Sequence, residues 1–165
     1  MNPDPGVDLA RYNQAFGLPA TVVLARLWRR VVGQVIDEVV IVLPVLAIAL
    51  LAGVRTTDDL SDHALAINIV VVVIGFCYEF VCIGMWGRTL GKRLIGTRVV
   101  RVDTAGPVLW ASSAVRALVP LAAGVIPGIG EFLSVIVYSS AFFDRRRQGL
   151  HDKAAGTIVV MHRSV

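Results

Sequence analysis

Two runs, residues 31–53 and 64–86, limit what this chain can become more than anything else in it. Each is close to the length a helix needs to cross the roughly 30 Å hydrocarbon core of a bilayer. Hydrophobic residues make up 56% of the 165 and charged residues 17%, more apolar side chain than one soluble core of that size hides. The expectation is therefore an integral membrane protein in which both runs are full spans. A net charge of +4 does not point to nucleic acid, because the basic residues fall between the apolar runs.

Residues 1–25 lack the basic head, apolar core and small-residue cleavage site of a secretory signal. They read as an N-terminal cytoplasmic segment, ahead of a membrane domain at 26–163. Cys77 and Cys82 are five residues apart in an apolar helix, so they face different sides and read as small packing residues.

Loop charge sets the topology. Residues 11–30, 88–101 and 145–153 are basic, whereas 55–62 is acidic. Holding all three basic regions at the cytoplasmic face requires two crossings between each consecutive pair. The apolar stretch 114–143 then goes in and returns, turning at Pro127 and Gly128. Its arms, 114–126 and 131–143, are short; they are tilted spans or a shallow re-entrant hairpin. The segment TRVVRV at 97–102 reads as a short strand, and residues 157–161 as a second. IGTRVV at 95–100 echoes AGTIVV at 155–160, and the two strands are expected to pair on the cytoplasmic side. The expected fold is thus an all-α membrane protein: two full transmembrane helices plus a Pro/Gly-broken helical hairpin (four membrane segments), with a small cytoplasmic β element. Both termini are then cytoplasmic, and the protein sits in the cell membrane.

The polar groups inside the apolar runs are the candidates for function. Helical spacing puts Arg26, Arg30, Gln34 and Asp37 on one face of the first helix. Arg30 and Asp37 lie two turns, roughly 10 Å, apart, with Gln34 as a hydrogen-bonding bridge. Counted from the cytoplasmic interface, Asp37 and Glu79 are at matching depth, which makes a shared proton or cation site reasonable. Arg30 or Arg116 answers the same charge internally. The competing reading is a buried ion-pair network of Arg30, Asp37, Glu79 and Arg116 that fixes helix packing. Glu38 lies about 100° round from the stripe; it pairs with a neighbouring helix or second subunit, or stays protonated.

Other motifs lead nowhere. GRTLGKR looks like a phosphate-binding loop, but its glycines are one residue too close and Arg93 stands where Ser or Thr is needed. It reads as a tight exit turn with basic anchors, Lys92 and Arg93. His63, His151 and His162 are scattered, so no metal site is expected. No nucleophile stands with a base and an acid; neither an enzyme nor a cofactor is expected. The run DRRRQGLHDK reads as a charge anchor suited to anionic lipid headgroups, with Asp152 paired to a basic neighbour.

Three pieces, WRRVVGQVID, GRTLGKRLIGTRVVRVD and RRRQGLHDKAAGTIVV, cover about residues 26–161 in this order. Together they resemble the RDD family of small membrane proteins, named for one arginine and two aspartates. The resemblance implies that Arg30 is the family arginine, Asp37 the helix aspartate and Asp152 the second aspartate. Glu38 lies outside the family pattern and Glu79 is an occasional feature of it. The resemblance also implies transport of an unidentified ligand, with cation–proton exchange in some members, or an accessory role, since such modules occur joined to other domains. The function expected is a carrier for a cation or small solute coupled to protons. Asp37 with Glu79 binds the proton or cation, Arg30 tunes them, and Asp152 holds a cytoplasmic gate against Lys92 or Arg93. Four short segments are few for a complete pathway, so a homo-oligomer or a partner membrane protein is expected. The alternative is a non-catalytic membrane accessory subunit or assembly factor whose buried charges are structural.

Overall fold

The computed structural model describes residues 9–15, 17–18, 22–126 and 129–162. After a short helix α1 (Leu9–Ala15), the chain forms two long helices, α2 (Leu27–Leu51) and α3 (Thr57–Trp86). A short helix α4 (Leu90–Leu94) leads into strand β1 (Thr97–Arg101). Helices α5 (Trp110–Gly124) and α6 (Gly130–Ser139) follow, the latter ending in a 3-10 turn at Ser140–Phe142. A second short helix, α7 (Leu150–Ala155), leads into strand β2 (Thr157–Met161).

Among the described residues, α2 and α3 are the two helices long and apolar enough to cross a membrane. Their burial is inverted relative to a soluble protein. The buried residues of α2 are Gly33, Asp37 and Val45, and those of α3 are Glu79 and Ile83. Large apolar side chains such as Leu43, Ile48, Leu65 and Val73 face outward instead. Lipid accepts that surface at no cost, while the polar groups have to find partners inside. Trp28, Trp86 and Trp110 stand about half exposed at the start of α2, the end of α3 and the start of α5. They gather at one end of the bundle, as in the aromatic belt of a membrane interface.

The second long helix differs from the sequence expectation at its start. It begins at Thr57, so most of the acidic loop is helix. Thr56 accepts from the Asp59 amide at 3.1 Å while Asp59 accepts from the Thr56 amide at 3.0 Å, a capping box that extends the helix into the polar segment. The arms of the apolar hairpin are present as α5 and α6, but rise only about 22 Å and 15 Å, short of a full bilayer core. Among the described residues the structure thus carries two helices of spanning length, and the hairpin arms are short, as expected. Pro127 and Gly128, where the turn is expected, lie outside the described residues. α5 packs on α3 through the Trp110 ring, which lies 5.2 Å from Phe80 and covers Gly84; a Cβ there would fall 2.4 Å from the indole.

The two strands pair antiparallel, centred on Val99 opposite Val159. The N-terminal segment is part of this element. Leu24 bridges to Val160, the Met161 amide donates to the Val23 carbonyl at 2.8 Å, and Leu18, Val22 and Leu24 form a core with Val100, Ile158 and Val160. The small apolar cluster gives a two-stranded ribbon the packing it lacks alone.

Candidate functional site

Two buried charge centres form where the short helices dock on the long ones. Four donors converge on the Asp37 carboxylate of α2. Its Oδ1 accepts from Tyr78 Oη at 2.7 Å and from the Gly91 amide at 2.8 Å. Its Oδ2 accepts from Thr89 Oγ1 at 2.5 Å and from Lys92 Nζ at 3.5 Å. Thr89 caps α4, accepting from the Lys92 amide at 3.4 Å, so the start of α4 is aimed at Asp37. The approach is possible because both backbones lack a side chain where they cross: a Cβ on Gly91 would lie 2.0 Å from the Gly33 carbonyl oxygen. Four donors fill the acceptor positions of a carboxylate.

The second centre is built on Arg116 of α5, which is 1% exposed. Its Nε donates to Glu79 Oε1 at 3.1 Å, and its Nη1 pairs with Asp152 Oδ1. Asp152, at the start of α7, also accepts from Arg30 Nη1 at 3.0 Å, from the Gly149 amide at 3.2 Å and from Thr157 Oγ1 at 3.3 Å. The other Glu79 oxygen accepts from Tyr138 Oη at 3.5 Å. Arg30 makes one bond; its Nε and Nη2 are buried without a partner among the described residues. His151 packs at 4.7 Å between ring centroids against Tyr138, with Nε2 3.7 Å from Asp152. Burial, reinforced by Arg116, Arg30 and Lys92, pushes the His151 pKa well below the ordinary imidazole range.

Both centres border a cavity of about 590 Å³ between α2, α3, α5 and α6. Its walls are mostly apolar; Gln34, Glu38, Asn68, Glu79, Arg116 and Tyr138 are among its polar lining. Arg30, Asp37 and Lys92 border it too, as the helical stripe requires.

Several expected pairings are rearranged. Asp37 and Glu79 line the same cavity but take different partners: α4 supplies Asp37 with its own donors, and Arg116 takes Glu79. Gln34 does not bridge Arg30 to Asp37 but donates to Glu38 at 3.3 Å, one turn on. Arg30 answers Asp152, not Asp37. Lys92 lies on Asp37, so it does not gate against Asp152. Arg93 is exposed and forms no ion pair among the described residues. Asp152 pairs with arginines from two other helices in place of its sequence neighbours.

The basic run is only partly a charged surface. Arg147 is buried and donates to the Ala25 carbonyl at 3.3 Å. Asp144 takes Lys153 Nζ at 2.7 Å. Burial opposes the Asp144 charge, but Lys153 and the Gln148 and Arg146 amides outweigh it and hold its pKa below the usual carboxylate value.

Sequence reasoning missed Tyr78, Thr89, Tyr138 and Thr157. Three of them carried a usable signal: a tyrosine inside an apolar run, as Tyr78 and Tyr138 are, needs a partner for its hydroxyl, and Thr157 repeats the place of Thr97 in the strand echo.

No curated protein and no solved structure matches this chain. A family model, that of the RDD family, matches residues 24–156. That stretch holds both charge centres and both spanning-length helices, with Arg30, Asp37 and Asp152 at their hearts; the chain belongs to the RDD family of membrane proteins.

Proposed function

We propose that the protein is a small carrier in the cell membrane, moving a cation or small solute coupled to protons. One observation carries this reading: the cavity of about 590 Å³ among the membrane helices, apolar along its walls and lined with ionisable groups. Ionisable residues inside membrane helices are rare, face the bundle interior or a water-filled cavity, and mark ion and proton paths. In this reading Asp37, Lys92 and Thr89 hold α4 on α2. Arg30, Arg116, Glu79 and Asp152 form the joint that opens and closes, since they tie α2, α3, α5 and α7 together. The unused Nε and Nη2 of Arg30 leave that joint with donors for another arrangement. Two spanning helices and two short ones enclose a narrow path, so the carrier works as a homo-oligomer. Its termini and basic face lie in the cytoplasm against anionic headgroups. The reading assigns no catalytic step, cofactor or metal.

Proteoliposomes test it. Wild-type protein is expected to drive proton-coupled flux of at least one common monovalent cation above empty vesicles, and Glu79→Gln to reduce it. Absence of wild-type flux across that set removes the cation–proton form of the proposal.

A second reading is favoured by the complete engagement of Asp37 and Asp152. Charges satisfied this fully suit a fixed scaffold, as in a non-catalytic accessory subunit or assembly factor. A stoichiometric partner co-purifying from native membrane, with no flux by the isolated protein, selects that reading.

A further inference from the structure

We propose that Glu38, and not the family aspartate Asp37, is the carboxyl in this protein that takes up and releases a proton. The assignment rests on the carrier reading for its role in coupling, whereas proton binding itself is measurable without any flux.

Among the described residues, the acids Asp37, Glu38 and Glu79 line the cavity and Asp152 sits in the joint beside it, and all but Glu38 are already answered. Asp37 has Lys92 and three further donors. Glu79 has Arg116 and Tyr138, and Asp152 has Arg116 and Arg30. Glu38 has Gln34 alone, an amide at 3.3 Å, and forms no ion pair among the described residues. Its place makes this unusual. Eleven residues after Leu27, it lies about 16 Å along a helix of about 37 Å, near the middle of α2. A carboxylate at that depth has to be met by a cation or by water, or give way to its neutral acid.

Access separates Glu38 from the other acids. Asp37 is 3% exposed and Asp152 is fully buried, whereas Glu38 is an exposed residue on the cavity wall. The charged and titratable groups acting on it are Asp37 on its own helix, Glu79 on α3, Lys92 on α4 and Tyr138 on α6. Lys92 is the one cation among them, and it is bound to Asp37.

The proton step is simple. Hydronium in the cavity gives up one O–H bond and a Glu38 carboxylate oxygen forms another; release reverses both. Gln34 serves both forms as a positioning residue. Its amide N–H donates to the carboxylate, and its amide oxygen accepts from the neutral acid after a flip of the side chain.

Carbodiimide labelling of the full-length protein in lipid nanodiscs, mapped by mass spectrometry across a pH series, tests this. The reagent adds to the neutral acid of a carboxyl in an apolar setting. The expected result is an adduct on Glu38 that increases as pH falls and disappears in Glu38→Gln, while Asp37 stays unmodified. An adduct on Asp37 or Glu79 with Glu38 untouched, or no adduct on any of the three, overturns the assignment. So does proton-coupled flux that is unchanged in Glu38→Gln. Labelling at Glu38 in a wild type that moves no cation leaves the proton site standing and removes the carrier reading, so the two failures are distinguishable.

Discussion

The run α2, α3, α4, β1 and the run α5, α6, α7, β2 are built from the same parts in the same order, with the charges exchanged. Each opens with two helices, then a short helix, a left-handed glycine and a strand. The glycines are Gly96, with φ 72°, and Gly156, with φ 63°. The residue after each is a threonine whose hydroxyl donates to a carbonyl in the short helix: Thr97 to Lys92 and Thr157 to Asp152. Lys92 in the first half meets an acid on its long helix, Asp37. Asp152 in the second half meets a base on α5, Arg116. The strands pair about Val99 and Val159, the same place in each copy.

The difference lies in how far each charge reaches. Asp37 is satisfied wholly within the first half, by Tyr78, Thr89, Gly91 and Lys92. Asp152 is not; it takes Arg116 from its own half and Arg30 from the other, and Arg116 in turn reaches Glu79 on α3. The first centre is a local clasp, and the second is the joint between halves. Guanidinium, with five donors in a planar fork, suits a joint that must hold two acids at once; an ammonium on a flexible stem suits a clasp.

The largest effect should come from breaking the joint. Arg116→Gln strips Glu79 of its cation and leaves Asp152 with Arg30 alone, and it is expected to cost about 3–5 kcal/mol, measured by denaturant unfolding in detergent and by folded yield. Asp37→Asn should cost less, about 1.5–3 kcal/mol, because it removes charge-assisted bonds at one acid only. If the two variants lose equal stability, the distinction between clasp and joint is wrong. Gly91→Ala attacks the clasp without touching a charge. The added Cβ meets the Gly33 carbonyl, and a penalty of about 1–3 kcal/mol is expected, with the Arg30–Asp152 coupling in a double-mutant cycle unchanged.

The smallest effect is one of pH, and it belongs to the joint alone. His151 is held neutral by its setting, so below about pH 6.5 the unfolded chain binds a proton the folded one refuses. Stability is then full above that pH and declines by about 1.4 kcal/mol per unit as pH falls through 6 toward 5. His151→Gln should flatten the decline in that window. A decline that survives the substitution would trace it to another group.

Much of this was legible in the residues. The lengths of the two apolar runs identify the spanning helices, because a bilayer of set thickness admits few alternatives. The strand echo anticipated the pairing of Thr97–Arg101 with Thr157–Met161. The stripe Arg30, Gln34, Asp37 does border one cavity, since helical periodicity is a local property. Partner choice was not legible. Arg30 and Asp152 are 122 residues apart, and nothing near either one names the other.

By itself, then, the sequence determined a membrane-embedded helical chain with polar residues at particular depths, because hydropathy, helix period and loop charge all act over one or two turns. It also determined the two short strands and the family. The tertiary structure alone decided which acid meets which base. That choice depends on the glycine crossing that brings α4 against Asp37, and on the docking of α7 that brings Asp152 between Arg116 and Arg30. A buried charge goes to whichever partner packing brings within hydrogen-bonding distance, and spacing along the chain does not specify packing. Glu38 stands apart for the same reason: packing brought it Gln34 and a cavity and, among the described residues, no ion pair.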